Sequence, residues 1–585
     1  MHYPKLTPIN ADREMVSTFR GYNHNLRIDG GEFYDMKNMT SDCYPILSPR
    51  GKRGVYCSPA SPQGIIAKDK LCYVDGSDFV VGEDHVDLGL STAEADCPKQ
   101  LISMGAYVII MPDKKYINTV DFDDRGDIEA SFVTKGDVTF ELCSITGEPY
   151  KDATVSDTAP ADPENLALWI DTSAKPHTLK RYSSASDMWV SIATTYIKIS
   201  AAGIGASFAQ YDGVNISGIL SESLQDLNAS MGIWDKGDDY IVVIGILDET
   251  ITQTAEQGVI TVERKMPNMD FIIESENRLW GCRYGEAING EIVNEIYACK
   301  LGDFKNWSCY MGISTDSYTV SCGTDGPFTG AIAHSGYPLF FKENCLHKVY
   351  GNYPSNFQVQ TIACRGVQKG CHNSLAIVNE TLFYKARAAV CAYDGSLPAE
   401  TSYALGSEVY GDAVGGAHGN KYYISMKDTA GVWHLFVYDT ARGMWHREDN
   451  LHAIAWCSFG SEMYCIDADT QNIITILGSG EQDSAPVEWM VETGELGLNS
   501  PDMKYVSGLT VRMAMDIGAK ADFYIQYDLS DEWLHICTVR GTDLRSFAIP
   551  IHPRRSDYMK LRITGEGRTK IYSLTKTIEQ GSDIS

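Results

Sequence analysis

The chain has 585 residues, 44% of them hydrophobic and 22% charged, with 77 Asp+Glu against 49 Lys+Arg and a formal net charge of −28. That balance excludes a protein that wraps nucleic acid or lies on an anionic membrane, because both need net positive surface to displace counterions. The aromatic content (33 Tyr, 18 Phe, 10 Trp) excludes a disordered chain, and 52 Gly with 21 Pro suit many short strands joined by tight turns. At about 150 residues per domain the length allows about four domains, and the expectation is an all-β protein.

Residues 1–53 show little periodicity and much Asn, Asp and Gly, and read as an extended segment packed along other parts of the chain or against a partner. Residues 1–16 have neither the apolar core nor the cleavage site of a signal peptide. The longest apolar run, residues 106–111, is strand length, far from the ~18–20 residues of a membrane helix. Cysteines are scattered through apolar runs (Cys72, Cys282, Cys299, Cys391, Cys457, Cys465, Cys537) without a CxxC pair, and Cys364 and Cys371 lack zinc-ligand spacing. They read as buried thiols of a protein made in a reducing compartment, where Asn-x-Ser/Thr sites such as Asn379-Glu-Thr381 carry no glycan.

From residue 54 a unit recurs in which a strand with an apolar-aromatic pair leads into a hairpin. Instances are Lys70-Leu-Cys-Tyr73, Ala106-Tyr-Val-Ile109, Arg278-Leu-Trp-Gly281, Pro338-Leu-Phe-Phe341, Thr381-Leu-Phe-Tyr384, Lys421-Tyr-Tyr-Ile424 and Glu462-Met-Tyr-Cys465. With Leu71, Tyr107, Leu279, Leu339, Leu382, Tyr422 and Met463 as anchors, the steps are 36, 172, 60, 43, 40 and 41 residues. Steps near 40 match the period of a four-stranded propeller blade. Residues 54–126 are then the first blades and 264–480 the rest. Within them, turns such as Asp439…Trp445 and Gly302-Asp303…Trp307 place an Asp to close the turn and a Trp to cover the strand behind it; Asp528…Trp533 repeats the device further on. The 60-residue step holds a Gly/Ser/Thr/Asp-rich stretch, 312–326, expected as an exposed loop.

The 172-residue step marks an insertion, 127–263, read as a small peripheral β-domain with strands at 167–170, 178–182 and 188–192. After residue 480 the spacing shortens. Strands at 487–491, 506–515, 521–527, 534–539, 546–551 and 559–563 predict a C-terminal β-sandwich over 481–585. Charge is uneven along this plan: residues 1–60 and 536–585 are slightly basic, and the middle carries the acidic excess.

Catalytic and metal motifs are absent. Asp121-Phe-Asp123-Asp124-Arg-Gly-Asp127 resembles a calcium loop, but Arg125 and the missing closing acid break it, leaving a solvated acidic turn. There is no His-x-His, His-Glu-x-x-His, Gly-x-Ser-x-Gly or phosphate loop, and Ser184-Ala-Ser-Asp-Met-Trp189 does not fit the turn of sialidase-type propellers. The expectation is a chain that is not an enzyme and has no metal or cofactor. Trp169, Tyr182 and Trp189 are the candidate glycan platform, the alternative being a small aromatic core. Arg545, Arg554, Arg555 and Arg562, with Lys570, are the candidate assembly interface for an acidic partner, the alternative being a solvated face.

Two end segments carry a family resemblance. One is Phe19-Arg-Gly-Tyr-Asn-His-Asn-Leu-Arg-Ile-Asp-Gly-Gly-Glu-Phe-Tyr-Asp-Met-Lys-Asn-Met39 with Tyr44-Pro-Ile-Leu-Ser-Pro-Arg50. The other is Ile549-Pro-Ile-His-Pro-Arg-Arg555 with Ile563-Thr-Gly-Glu-Gly-Arg568 and Lys570-Ile-Tyr-Ser573. Joined by Asn277-Arg-Leu-Trp-Gly281 and a propeller, they resemble tail structural proteins of phages and prophages of Gram-positive gut bacteria, above all the nozzle or stabilisation proteins of short-tailed phages. The inserted Leu168-Trp-Ile-Asp-Thr-Ser173…Tyr182…Trp189 is similar to small modules of phage fibre proteins.

The resemblance implies a six-fold ring of this chain in the virion tail, assembled in the bacterial cytoplasm. Its implied partners are portal, adaptor and fibre proteins, and DNA passes through an acidic lumen without specific binding. The rival expectations are a receptor-binding tail protein that grips a host surface glycan, and a propeller glycosidase.

Overall fold

The structure, a computed structural model, describes residues 11–91, 98–287, 290–497, 503–528 and 530–580, so the first ten residues of the N-terminal segment lie outside the described residues. The fold is all-β, a propeller with an inserted β-domain and a C-terminal β-sandwich. The chain divides into two units, one of residues 1–99, 341–346 and 362–585, the other of residues 100–340 and 347–361.

Each of the seven anchors lies in the second strand of a separate blade-like antiparallel sheet. In the first unit these sheets start at Pro62–Ala67, Ala376–Val378, Tyr410–His418 and Ala453–Phe459. In the second they start at Gln100–Met104 and Phe271–Ser275. A further four-stranded sheet runs from Gly330–His334 to Gln358–Ala363. Central strands such as Tyr107–Met111 are apolar throughout because both faces are covered. Two-residue hairpins at Glu276-Asn277 and Asn379-Glu380 have positive φ at both positions, the mirror-image turn whose twist suits paired strands.

Neighbouring sheets pack face to face. Tyr423, Leu435 and Val437 meet Met463, Cys465 and Ile474; Leu71, Tyr73 and Val80 meet Ile454, Ile466 and Ile473. In the second unit Ile102 and Ile109 meet Ile272, Leu279 and Trp307. Two of the three predicted Asp turns form as drawn: Asp439 Oδ1 accepts from the Ala441 and Arg442 N–H groups beside the buried Trp445, and Asp303 Oδ1 accepts from Lys305 N–H beside Trp307, whereas Asp528 Oδ1 accepts from the distant Asp557 and Tyr558 N–H groups. Residues 312–326 differ from the loop expected. Asp316 is buried, its Oδ2 accepting from Met311, Gly312 and Ile313 N–H, and this turn delivers Tyr318–Ser321 as the fourth strand of its sheet.

The N-terminal segment is stitched into the first unit. Gly54–Cys57 pairs antiparallel with Ile473–Thr475 and completes the last blade. Tyr22 pairs with Trp445 on the edge of the preceding blade, and Glu32–Lys37 pairs with Glu488–Thr493 of the sandwich. One sheet therefore runs from the blade at Tyr410–His418 through the N-terminal strands into the sandwich. Phe19, Tyr22, Phe33, Met36 and Met39 are all buried along it. Arg53 adds a charged clamp, donating to Asp449 Oδ2 at 2.6 Å and Glu448 Oε2 at 2.8 Å, with Arg50 donating to Asp449 at 3.0 Å.

In the sandwich, the strands expected at 506–515 and 521–527 are one strand, Lys504–Tyr527, and those at 534–539 and 546–551 are one strand, Leu534–Ile549. Bulges near Met513, Met515 and Lys520 interrupt the period-two alternation, which is why the sequence reads as two pieces. The first half of the long strand pairs with Thr569–Gln580, the second half with Met559–Glu566, so both leaflets share this hairpin. Thr569–Gln580, unforeseen as a strand, pairs in turn with Ala11–Val16.

Candidate functional site

The inserted domain closes at its neck, where Ala130–Val133 pairs antiparallel with Thr261–Arg264. Arg264 is buried there. It donates to Asp212 Oδ2 at 2.6 Å and to the Ile128 carbonyl, while Asn306 donates to Asp212 Oδ1 at 2.8 Å. Beyond the neck, a four-stranded and a five-stranded sheet enclose a core that includes Val138, Phe140, Ile199, Val214, Ile241 and Val262. Residues 129–264 hold 20 Asp+Glu against eight Lys+Arg, so this module concentrates the chain's acidic excess.

A third small sheet rises from this domain: Thr154–Ser156, Leu168–Asp171, Thr178–Ser183 and Met188–Ser191. Alternation sorts its two faces. Ile170 and Leu179 point into a cluster with Leu142, Tyr150 and Ile246. The other face gathers the three predicted aromatics. Trp189 lies 5.4 Å from Trp169 and 5.5 Å from Tyr182, with interplanar angles of 67° and 58°.

The rings pack on one another at steep angles rather than forming a flat shelf, and Trp169 is only 5% exposed. Their polar handles are engaged: Trp169 Nε1–H donates to the Ser156 carbonyl and Tyr182 O–H to Asp187. Lys180 covers the Trp169 ring at 4.6 Å and donates to Asp171; that bond and those from Ser173 hold the Asp171 carboxyl down to about 2.

Beside this sheet lies a cleft of about 690 Å³ with an apolar floor (Ile197, Leu224, Leu227, Leu247) and a polar rim. His177 shares a 2.8 Å hydrogen bond with Asp248 on that rim, and Glu222, Asp226 and Glu249 also line it. Sequence reading missed this cleft, because its walls come from segments about 70 residues apart that show no joint motif. Among the described residues no group of three or more His, Cys, Asp or Glu is placed to hold a metal ion. None of the fifteen described cysteines is in a disulfide, and burial pushes the thiols of Cys299 and Cys457 up to about 12.

The predicted arginines of the sandwich do not form one patch. Arg562 belongs to the internal packing: its guanidinium donates twice to Glu492, at 2.6 and 3.0 Å, and stacks on Trp533 at 4.0 Å. Arg554 lies over Tyr527, in the exposed 550–555 segment that also holds Arg555. Arg545 is exposed on Leu534–Ile549, over the Phe547 ring at 4.5 Å.

Within each unit, the first strands of successive sheets lie side by side. Together with Gly330–His334, these inner strands carry only two carboxylates, Glu274 and Asp412.

No family model matches the chain, and no curated protein matches its sequence. Solved structures similar to it include an exo-β-1,3-galactanase from Phanerochaete chrysosporium, 8% identical over 52% of this chain and 94% of that one (TM-score 0.20). A sialidase from Trypanosoma rangeli is 7% identical over 68% and 93% (TM-score 0.23). The WD40 domain of Toxoplasma gondii coronin is 8% identical over 75% and 86% (TM-score 0.21). These neighbours correct the expectation of a chain that is not an enzyme. Two of the three are glycoside-cleaving enzymes. At such identities and scores the likeness concerns the fold and assigns no reaction.

Proposed function

We propose that the chain is a structural subunit of a bacteriophage tail, a ring-forming nozzle or stabilisation protein that extends the portal–adaptor channel. The observation that carries this reading is where the family-like segments lie. Residues 19–39 and 44–50 supply the strands and buried rings that weld the last propeller blades to the sandwich, and residues 549–573 supply the sandwich strands around them. The segments that resemble tail proteins thus do a mechanical job, coupling two β-domains through one sheet to which Ala11–Val16 and Thr569–Gln580 are also paired. Such coupling suits a conduit component that must keep its shape under load.

The acidic charge supports passage of DNA without adhesion, since like charge denies phosphates a binding site. The inserted domain holds 12 of the 28 net negative charges and the inner propeller strands carry only two carboxylates, so an acidic lumen on this reading is lined by surfaces outside both. The test is mass spectrometry of purified phage particles from the host that encodes this chain. Its peptides at a fixed, small copy number per portal ring support the reading, and particles without them refute it.

A further inference from the structure

Resting on that reading of the chain as an assembling subunit, we infer that copies join edge to edge, strand Leu534–Ile549 of one pairing antiparallel with strand Ala11–Val16 of the next. Among the described residues, Leu534–Ile549 pairs only with Lys504–Tyr527, and Ala11–Val16 only with Thr569–Gln580. The two are opposite edges of one antiparallel stretch. Its rows run Glu14–Lys576–Leu509–Ile549, Met15–Thr575–Thr510–Ala548 and Val16–Leu574–Val511–Phe547. An open edge is a row of unpaired N–H and C=O groups, which proteins commonly blunt with Lys, Pro or cover. Here Leu534–Ile549 has 16 residues with no Lys and no Pro, and exposes Leu544.

Strand direction favours this partner. Ala11–Val16 runs antiparallel to Leu534–Ile549 within one molecule, so a copy continuing the sheet presents its first strand in the antiparallel sense. Charge favours it as well. Arg545 shares its face with Phe547 and Ile549, and the row through Ile549 carries Glu14, with Asp12 two residues before it on the same face. An Arg on one edge and carboxylates on the other attract a second copy in one orientation, and like edges do not. Unlike edges make a head-to-tail contact, which closes into a ring when the rotation per copy divides a full turn.

The experiment is native mass spectrometry with hydrogen–deuterium exchange on the full chain across concentration. The expected result is an oligomer in which amides of 11–16 and 544–549 gain protection together. Arg545→Glu should raise the dissociation constant about tenfold or more, and adding Asp12→Arg to it should restore assembly. Both positions are exposed, and exchange in the rest of the sandwich reports that the variants fold. Three results overturn the inference: an oligomer whose edge amides stay unprotected, one indifferent to Arg545→Glu, or a monomer at every concentration, including one whose edges are protected by its own residues 1–10. Particles that contain the chain while any of these holds leave the tail reading standing and remove only the strand pairing.

Discussion

Replacing Arg53 by Met tests whether the N-terminal segment is locked to the propeller by its charged clamp. Arg53, Glu448 and Arg50 side chains are 13%, 6% and 14% exposed, and Asp449 is 24% exposed. Burial alone would raise the Asp449 carboxyl; the Arg53 and Arg50 guanidiniums overcome it and hold it below the usual carboxylate range. Removing one partner of a buried pair costs about 3–5 kcal/mol, because the other charge is left without compensation.

Arg50 remains within 3.5 Å of Glu448 and 3.0 Å of Asp449, which places Arg53→Met at the low end, about 3 kcal/mol. Gly54–Cys57, one residue on, completes the last blade, so the loss falls on that strand's opening equilibrium. At about 1.4 kcal/mol per factor of ten, amide exchange in 54–57 and 473–475 should speed up by about 10². Glu448→Gln combined with Arg53→Met should cost less than the sum of the single changes. Exchange in both strands that stays within about threefold of wild type would show that the clamp does not hold the closure.

Three further outcomes are expected. His446 and His372 are held neutral in the fold, burial pushing each down to about 4. Between about pH 6.5 and 4 the unfolded chain binds protons the folded chain refuses, so stability falls as pH drops through that window, by up to about 3 kcal/mol per site. Urea midpoints measured across it should decline, and less steeply in His446→Gln. Gly565→Ala would drive a Cβ into the buried Trp489 ring and the Lys520 carbonyl, and should destabilise the sandwich by about 1–3 kcal/mol, read as a lower urea midpoint. Arg264→Met leaves Asp212 buried with Asn306 as its remaining side-chain donor, and should open the insertion's neck to proteolysis with a loss of about 3–5 kcal/mol.

The blades were legible because their second strands are covered on both faces, so each carries an apolar-aromatic run that survives without neighbours; Leu71 through Met463 all report this. The extended packing of the N-terminal segment was legible but its strand partners were not: Gly21–Tyr22 and Met39–Thr40 have two residues each and take their hydrogen bonds from partners more than 400 residues away or in other short pieces. The sandwich was half legible, since bulges break its long strands into apparent pairs. Thr569–Gln580 hid because Lys570, Lys576 and Thr577 interrupt its apolar positions. Of the singled-out residues, the three insertion aromatics do meet, being neighbours across two strand pairs, whereas the sandwich arginines scatter because spacing in sequence does not fix which leaflet a side chain leaves from.

The most direct test of the tail assignment is gold labelling of purified phage particles with an antibody raised against residues 127–263. Gold at the tail beneath the head is the predicted result, placing the inserted domain on the outside of the assembled conduit. Unlabelled particles whose digests also lack every peptide of this chain would contradict the assignment.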